Sequence, residues 1–269
     1  MFAVGIAKLA TSPDGEAALL ARELDLTVYE VRLMLAPGLP AIVRMTADQA
    51  RAVELLGRLR SRGHEALVVD VSAVVPSAEM VSSRRFHFEA DALIADDPPE
   101  RSLPYADIAV LVRAAHRTAV ESTTTQKKKS LSLGRALLTG GLVMRKTKET
   151  STTTHREERE EVLYVFRRSG QTSWLLREHG TRYDGLGDRM APSEHANFVT
   201  MVELLRSHAP RSVYDDRLVH RKVPDRIAQS AVQFSTRERR FETSSAAGMD
   251  LFAHLLALWA AGPGREPEP

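Results

Sequence analysis

The chain has 269 residues, a formal charge of +2 and no cysteine. That length fits one large or two small domains, and a near-neutral charge sets up no global field for nucleic acid. Without cysteine there are no disulfides or thiolate metal sites, which fits a reducing compartment. Met1–Leu9 lacks the basic flank of a signal peptide. Met249–Ala261 falls short of the ~20 apolar residues of a membrane span and contains Asp250 and His254. The expectation is a soluble cytoplasmic protein.

Phe2–Ala10 reads as a buried strand. Ser12-Pro13-Asp14-Gly15 is a turn, with Asp14 placed to cap a helix over Glu16–Leu24. Thr27 and Glu30 have the spacing of a capping box for a second helix, which Pro37-Gly38 ends. Pro40–Met45 is a strand or tight loop. Thr46 and Gln49 open a third helix, with Ala52, Val53, Leu56 and Leu59 on one face. Gly63 stops it, and His64–Val71 is an apolar strand. The order is β-α-α-β-α-β over residues 1–75.

The run Leu24-Asp25-Leu26-Thr27-Val28-Tyr29-Glu30-Val31-Arg32-Leu33-Met34-Leu35-Ala36-Pro37 resembles the helix segment of the ribosomal L7/L12 C-terminal domain, a fold also used by the ClpS adaptor. The later helix, Gly63 and the last strand follow in the family's order. The family's glycine between the two leucines is Asp25 here, and its factor-binding lysines fall on Thr27 and Glu30. The resemblance therefore implies a protein-binding α/β module without the ribosomal-stalk role. Tyr29, Arg32 and Arg51 are its partner-contact candidates.

Residues 76–83 read as a linker. Residues 84–212 read as a β-rich domain: Phe86 and Phe88 alternate with polar residues, Ile108, Val110 and Val112 share a face, and Val162, Tyr164 and Phe166 share another. A strand with Trp174 follows. Ser193 caps a helix carrying Phe198, Met201, Val202 and Leu205. Strands closed by one helix are similar in order to a pleckstrin-homology-like domain, a fold guess that carries no function. Residues 213–269 form a C-terminal extension with an amphipathic helix at 246–261. Its stripe, Phe252, Leu255, Leu256 and Trp259, either packs on the body or meets a partner. The overall expectation is an α+β chain.

An insertion at 122–160 interrupts the β-rich domain. From Ser122 to Lys148 it holds seven Lys or Arg and no acid: Lys127, Lys128, Lys129, Arg135, Arg145, Lys146 and Lys148. Cations flanking an apolar segment suit an anionic membrane surface, each adding about 1 kcal/mol. Nucleic acid is less favoured, because no aromatic is interleaved for base stacking. The alternatives are a partner-binding arm or a long hairpin, whose arms the mirrored Thr123–Thr125 and Thr152–Thr154 would prolong.

Catalytic signatures are lacking. The glycines at 134, 140 and 141 do not have P-loop spacing, and no GxSxG or HExxH occurs. The nine histidines are scattered. Asp184–Asp188 lacks the alternating carboxylates of a calcium loop. Asp215-Asp216 reads as a helix-exit turn neutralised by Arg217. The expectation is a non-enzymatic adaptor, scaffold or assembly protein with no cofactor and no metal. Its expected partner is a protein, with a homo-oligomer and an anionic lipid as further partners; a peripheral binder of anionic lipid is the alternative.

Overall fold

The computed structural model describes residues 1–131, 145–221, 232–235 and 240–262, with backbone alone at 120–131, 145–156, 232–235 and 240–243. The chain is α+β. Its first strand, β1 (Phe2–Lys8), alternates small with branched residues, and both faces are covered. Ser12 caps α1 (Pro13–Leu24), its hydroxyl accepting from the Gly15 amide at 3.3 Å. Asp14, expected as the cap, lies inside the first turn instead, because proline is well accommodated at the first helical position. Asp25 then adopts φ 56°, the left-handed region that favours glycine. This is the position where the resembled family carries glycine.

Helix α2 (Val28–Leu35) opens with the expected capping box: Thr27 Oγ1 accepts from the Glu30 amide, and Glu30 Oε2 accepts from the Thr27 amide. Strand β2 (Ala41–Thr46) leads to α3 (Gln49–Ser61). The cap of α3 is Asp48 rather than Thr46, because the carboxylate next to the helix accepts from both the Ala50 and Arg51 amides. Gly63, at φ +86°, turns the chain into β3 (Glu65–Asp70). The sheet order is β2-β1-β3, antiparallel throughout. Val4 and Ile6 face the three helices and pack with Leu20, Leu24, Leu55 and Leu59.

The segment expected as a linker, 76–83, is packed. Met80 and Val81 are buried, and Val81 bridges Trp174. Buried amides need acceptors, and the Ser77 amide finds one in Asp250 Oδ2 at 2.9 Å. A small sheet follows, β4 (Phe86–Phe88), β5 (Ala92–Ala95) and β6 (Arg101–Pro104), ordered β4-β5-β6.

The main sheet is built on a hairpin of two long strands, β7 (Ile108–Leu131) and β8 (Arg145–Arg167). Strand β9 (Trp174–Arg177) pairs with β8. Helix α4 (Glu194–His208), capped by Ser193 as expected, does not close a domain. It crosses over to β10 (Val213–Leu218), which lies parallel to β7. The Asp215-Asp216 pair therefore sits in a strand rather than a turn. Arg217 makes this tolerable by holding Asp215 through two nitrogens, at 2.7 and 3.0 Å. Strands β11 (Val232–Ser235) and β12 (Arg240–Ser244) complete the order β11-β12-β7-β8-β9, β12 pairing with β7 beyond β10. The last helix is α5 (Ala246–Ala260).

One face of the main sheet, with Leu111, Leu163 and Val165, packs on Phe198, Met201 and Leu205 of α4. On the other face, Val112, Ala114 and Tyr164 lie under Phe252 and Leu256 of α5. The opposite side of α5 meets the N-terminal sheet, where Leu251 and Leu255 pack on Ala3, Ala7 and Val69. Helix α5 is thus shared by two sheets. No helix among the described residues is long and apolar enough to cross a membrane.

Candidate functional site: an exposed helix face and a buried polar seam

Helix α2 buries Val31 and Leu35, spaced i and i+4. Tyr29 and Leu33 share that spacing but point to the opposite side, by the 3.6-residue turn. They are 74% and 62% exposed. Leu19 on α1 and Val28 at the start of α2 are exposed as well. Arg32 lies 3.6 Å from Asp14, and Arg51 lies 3.4 Å from Asp48, both pairs in solvent. The predicted contact residues Tyr29, Arg32 and Arg51 therefore all belong to the module's outer surface.

The tail stripe proposed as a partner contact is placed otherwise. Phe252, Leu255 and Leu256 are fully buried. The correction has a physical cause: α5 lies between two sheets, so a helix apolar all round is the stable solution. Trp259 is half-buried at the helix's end. Its indole N–H donates to Glu65 Oε2 at 2.7 Å, and Arg217 lies 4.7 Å from its ring centre. Glycine is required opposite Leu255, because a Cβ on Gly5 would overlap the Leu255 side chain.

A polar seam threads the same packing. Asp250 Oδ1 accepts from the Tyr164 hydroxyl at 2.7 Å, and the Tyr164 oxygen lies 2.6 Å from His116 Nε2. Tyr164 has one proton and gives it to Asp250, so neutral His116 is the donor to the phenol oxygen. His254 Nε2 accepts from the Val75 amide at 3.2 Å. Burial, with Arg177 nearby, lowers His116 to about 4. Burial raises Asp250, against the hydrogen bonds from Ser77 and Tyr164 that favour its ionised form. An acid, a phenol and an imidazole in line can move a proton when a substrate reaches them. Here all three are buried, and their partners are the groups that dock α5.

Two arginines tie β10 and the residues after it to the N-terminal module. Arg217 Nη1 donates to the Ala7 carbonyl at 2.9 Å. Arg221 donates to the Gly38 carbonyl at 2.6 Å and lies 4.1 Å from the Phe252 ring centre. Burial, with Arg217 beside it, lowers Arg221 to about 10. On the α4 side of the main sheet, Glu161 holds Arg113 at 2.5 Å and Arg159 at 2.7 Å, while Glu178 accepts from the Glu161 amide and pairs with His195.

Sequence reasoning missed the seam. Its members lie far apart in the chain, at 77, 116, 164 and 250. The available signal was Ala3-Val4-Gly5-Ile6-Ala7, in which every second residue is small, as close packing of a helix on a sheet requires.

The insertion continues the hairpin. The register runs without a shift from Val110↔Phe166 to Leu131↔Arg145, and it sets Thr123 opposite Thr153 and Thr124 opposite Thr152. The mirrored threonines are thus partners in one ladder. Lys127, Lys128 and Lys129 lie on β7; Arg145, Lys146 and Lys148 lie on β8. Arg135 is outside the described residues.

Among the described residues, no group of three or more His, Asp or Glu side chains is arranged to hold a metal ion. Comparison with protein-family models, with curated proteins and with solved structures finds no match to this chain.

Proposed function

We propose that the chain is a non-enzymatic adaptor or assembly protein whose N-terminal module, an L7/L12-like fold, binds a protein partner through its α1–α2 surface. The observation that carries this reading is the pair Tyr29 and Leu33, large apolar side chains held in solvent on one side of α2 while the sheet behind is covered by α5. Large exposed side chains of this kind, adjacent on a helix and flanked by ion pairs, are the makings of a binding surface. The left-handed φ of Asp25 supports the resemblance, since this backbone region favours the glycine that the family carries at the position.

The test is cross-linking on the full chain with identification of captured proteins, comparing wild type with Tyr29→Ser/Leu33→Ser. The expected result is a partner captured by wild type and lost by the variant. Equal capture by both proteins overturns the reading.

A second reading rests on the hairpin. Its ladder runs on to Leu131↔Arg145, past Ser122, the last β7 residue paired with β12. This arm carries Lys127, Lys128, Lys129, Arg145, Lys146 and Lys148, which suit an anionic lipid surface. Sedimentation with anionic vesicles at low salt, lost in Lys127→Glu/Lys128→Glu/Lys129→Glu, is the expected result. Wild-type protein left in the supernatant sinks this reading.

A further inference from the structure

Strand β9 pairs with β8 only from Val162 to Val165. Among the described residues, no strand pairs with that edge of β8 from Arg145 to Glu160. The Arg159 main chain is met by the His179 side chain, so 145–158, at ~3.3 Å per residue roughly 45 Å, is left without a partner strand. Such an edge is a template for another strand, and a two-stranded ribbon alone in water is marginally stable. A further strand would supply what the ribbon lacks.

Which main-chain groups point outward is settled by parity. The Glu178 amide donates to the Glu161 carbonyl, and the Glu161 amide donates to the Glu178 side chain. Residue 161 therefore turns both its main-chain groups toward the β9 side. Because main-chain direction alternates along a strand and the β7–β8 register has no shift below Val110, the odd residues from 145 to 159 turn the same way. Thr153 is near the middle of this row.

The sequence of the edge identifies its occupant. Arg145, Lys146 and Lys148 stand near its start with one acid, Glu149; Glu157, Glu158 and Glu160 stand near its end with Arg156 and Arg159, Glu157 lying 3.1 Å from Arg117 and Glu160 2.8 Å from Arg177 of the same chain. The strand is net basic at one end and net acidic at the other. Two copies of such a strand, paired antiparallel about a two-fold axis, bring each basic end against the other's acidic end. A two-fold axis through a residue also sets odd residues opposite odd ones, as the outward groups require. The edge of β7 beyond Ser122, which no strand among the described residues pairs with, has no such symmetry: it holds Lys127, Lys128 and Lys129 without an acid, so two copies would set cation against cation.

We propose that the β8 edge pairs with the β8 edge of a second copy of this chain, joining two hairpins into one continuous antiparallel sheet. This surface is separate from the α1–α2 face, so either proposal stands if the other fails. The charges of 145–148 then serve assembly, in a C2 contact that is closed and self-complementary.

The test is light scattering on the full chain with two pairs of charge reversals. Wild type is expected at twice the chain mass in low salt, shifting toward monomer in high salt. Lys146→Glu/Lys148→Glu makes both ends acidic, and Glu157→Lys/Glu158→Lys makes both ends basic; each alone is expected to be a monomer. Mixed in equal amounts, they are expected to restore the dimer, because each end of one variant then meets the opposite charge on the other. Restoration also shows that both variants fold. Thr153→Pro, which removes one outward amide and leaves the β7 ladder intact, is expected to abolish the dimer with an unchanged circular-dichroism spectrum. A wild-type monomer at all concentrations overturns the proposal, as does a dimer that persists through Thr153→Pro. Reversal variants that remain monomers when mixed overturn it as well, as does a monomer that sediments with anionic vesicles.

Discussion

Helices α2 and α5 look alike as sequence and have opposite fates. Each carries an aromatic and leucines at helical spacing: Tyr29 and Leu33 in the first, Phe252, Leu255 and Leu256 in the second. The α5 residues are sealed between two sheets, while Tyr29 and Leu33 stand in solvent. An apolar stripe by itself therefore does not say whether a helix is buried; the neighbours it meets in the fold decide that.

The comparison breaks most easily at α5. Phe252→Ala empties a site between Tyr164 on the sheet and the Arg221 guanidinium. Chemical denaturation is expected to show a loss of about 4 kcal/mol, typical for deleting a buried aromatic. A loss below ~1 kcal/mol would mean that α5 is not the shared core described above.

Gly5→Val strikes the other side of α5, where a side chain would overlap Leu255. Overpacking of this kind costs about 1–3 kcal/mol. Leu255→Ala in the same chain is expected to recover part of that loss, because it vacates the space the valine needs. A double variant no more stable than Gly5→Val alone would count against the contact.

Acid should loosen the seam. His116 is held at about 4 when folded, against ~6.5 when unfolded, so the unfolded chain binds more protons in between. Stability is then fully present above pH ~6.5 and falls as the pH drops toward about 4. Burial acts in the same direction on His254 and His64. Asp250 opposes them, since its raised value favours the folded state as it protonates. The net loss expected from denaturation at pH 7 and pH 4.5 is about 2 kcal/mol. His116→Gln should flatten the profile.

The smallest effect is expected at α2. Tyr29→Ser/Leu33→Ser removes exposed side chains and should change stability by no more than about 0.5 kcal/mol. That near-silence, set against the cost of Phe252→Ala, is what distinguishes a contact face from a core.

The first 70 residues were legible because their signals are local. The capping box at Thr27, the stop at Gly63 and the apolar run of β3 each depend on residues a few positions apart. The exposed face of α2 was legible in part: Tyr29 and Arg32 were read as outward, whereas the exposure of Leu33 became visible only with Val31 and Leu35 turned inward in the fold. The long ladder of the hairpin was foreshadowed by its mirrored threonines. The polar seam was not legible, because Ser77, His116, Tyr164 and Asp250 meet only after three elements have packed. The strand at Val213–Leu218 was missed for a similar reason: two adjacent acids look like a turn until Arg217 and a parallel neighbour are in place.

What the sequence by itself determined about this protein is its element order in the N-terminal module, since that follows from short-range periodicity and capping; the buried face of α3 was only partly read, because Leu55 turns inward and Val53 stands in solvent. Only the tertiary structure decided that α5 belongs to two sheets at once. The tail stripe thereby becomes core, and residues 76–83 become a packed strap. The physical reason is that burial is a property of pairs: the small residues of β1 and the leucines of α5 lie some 250 positions apart, and neither alone says that it fits the other.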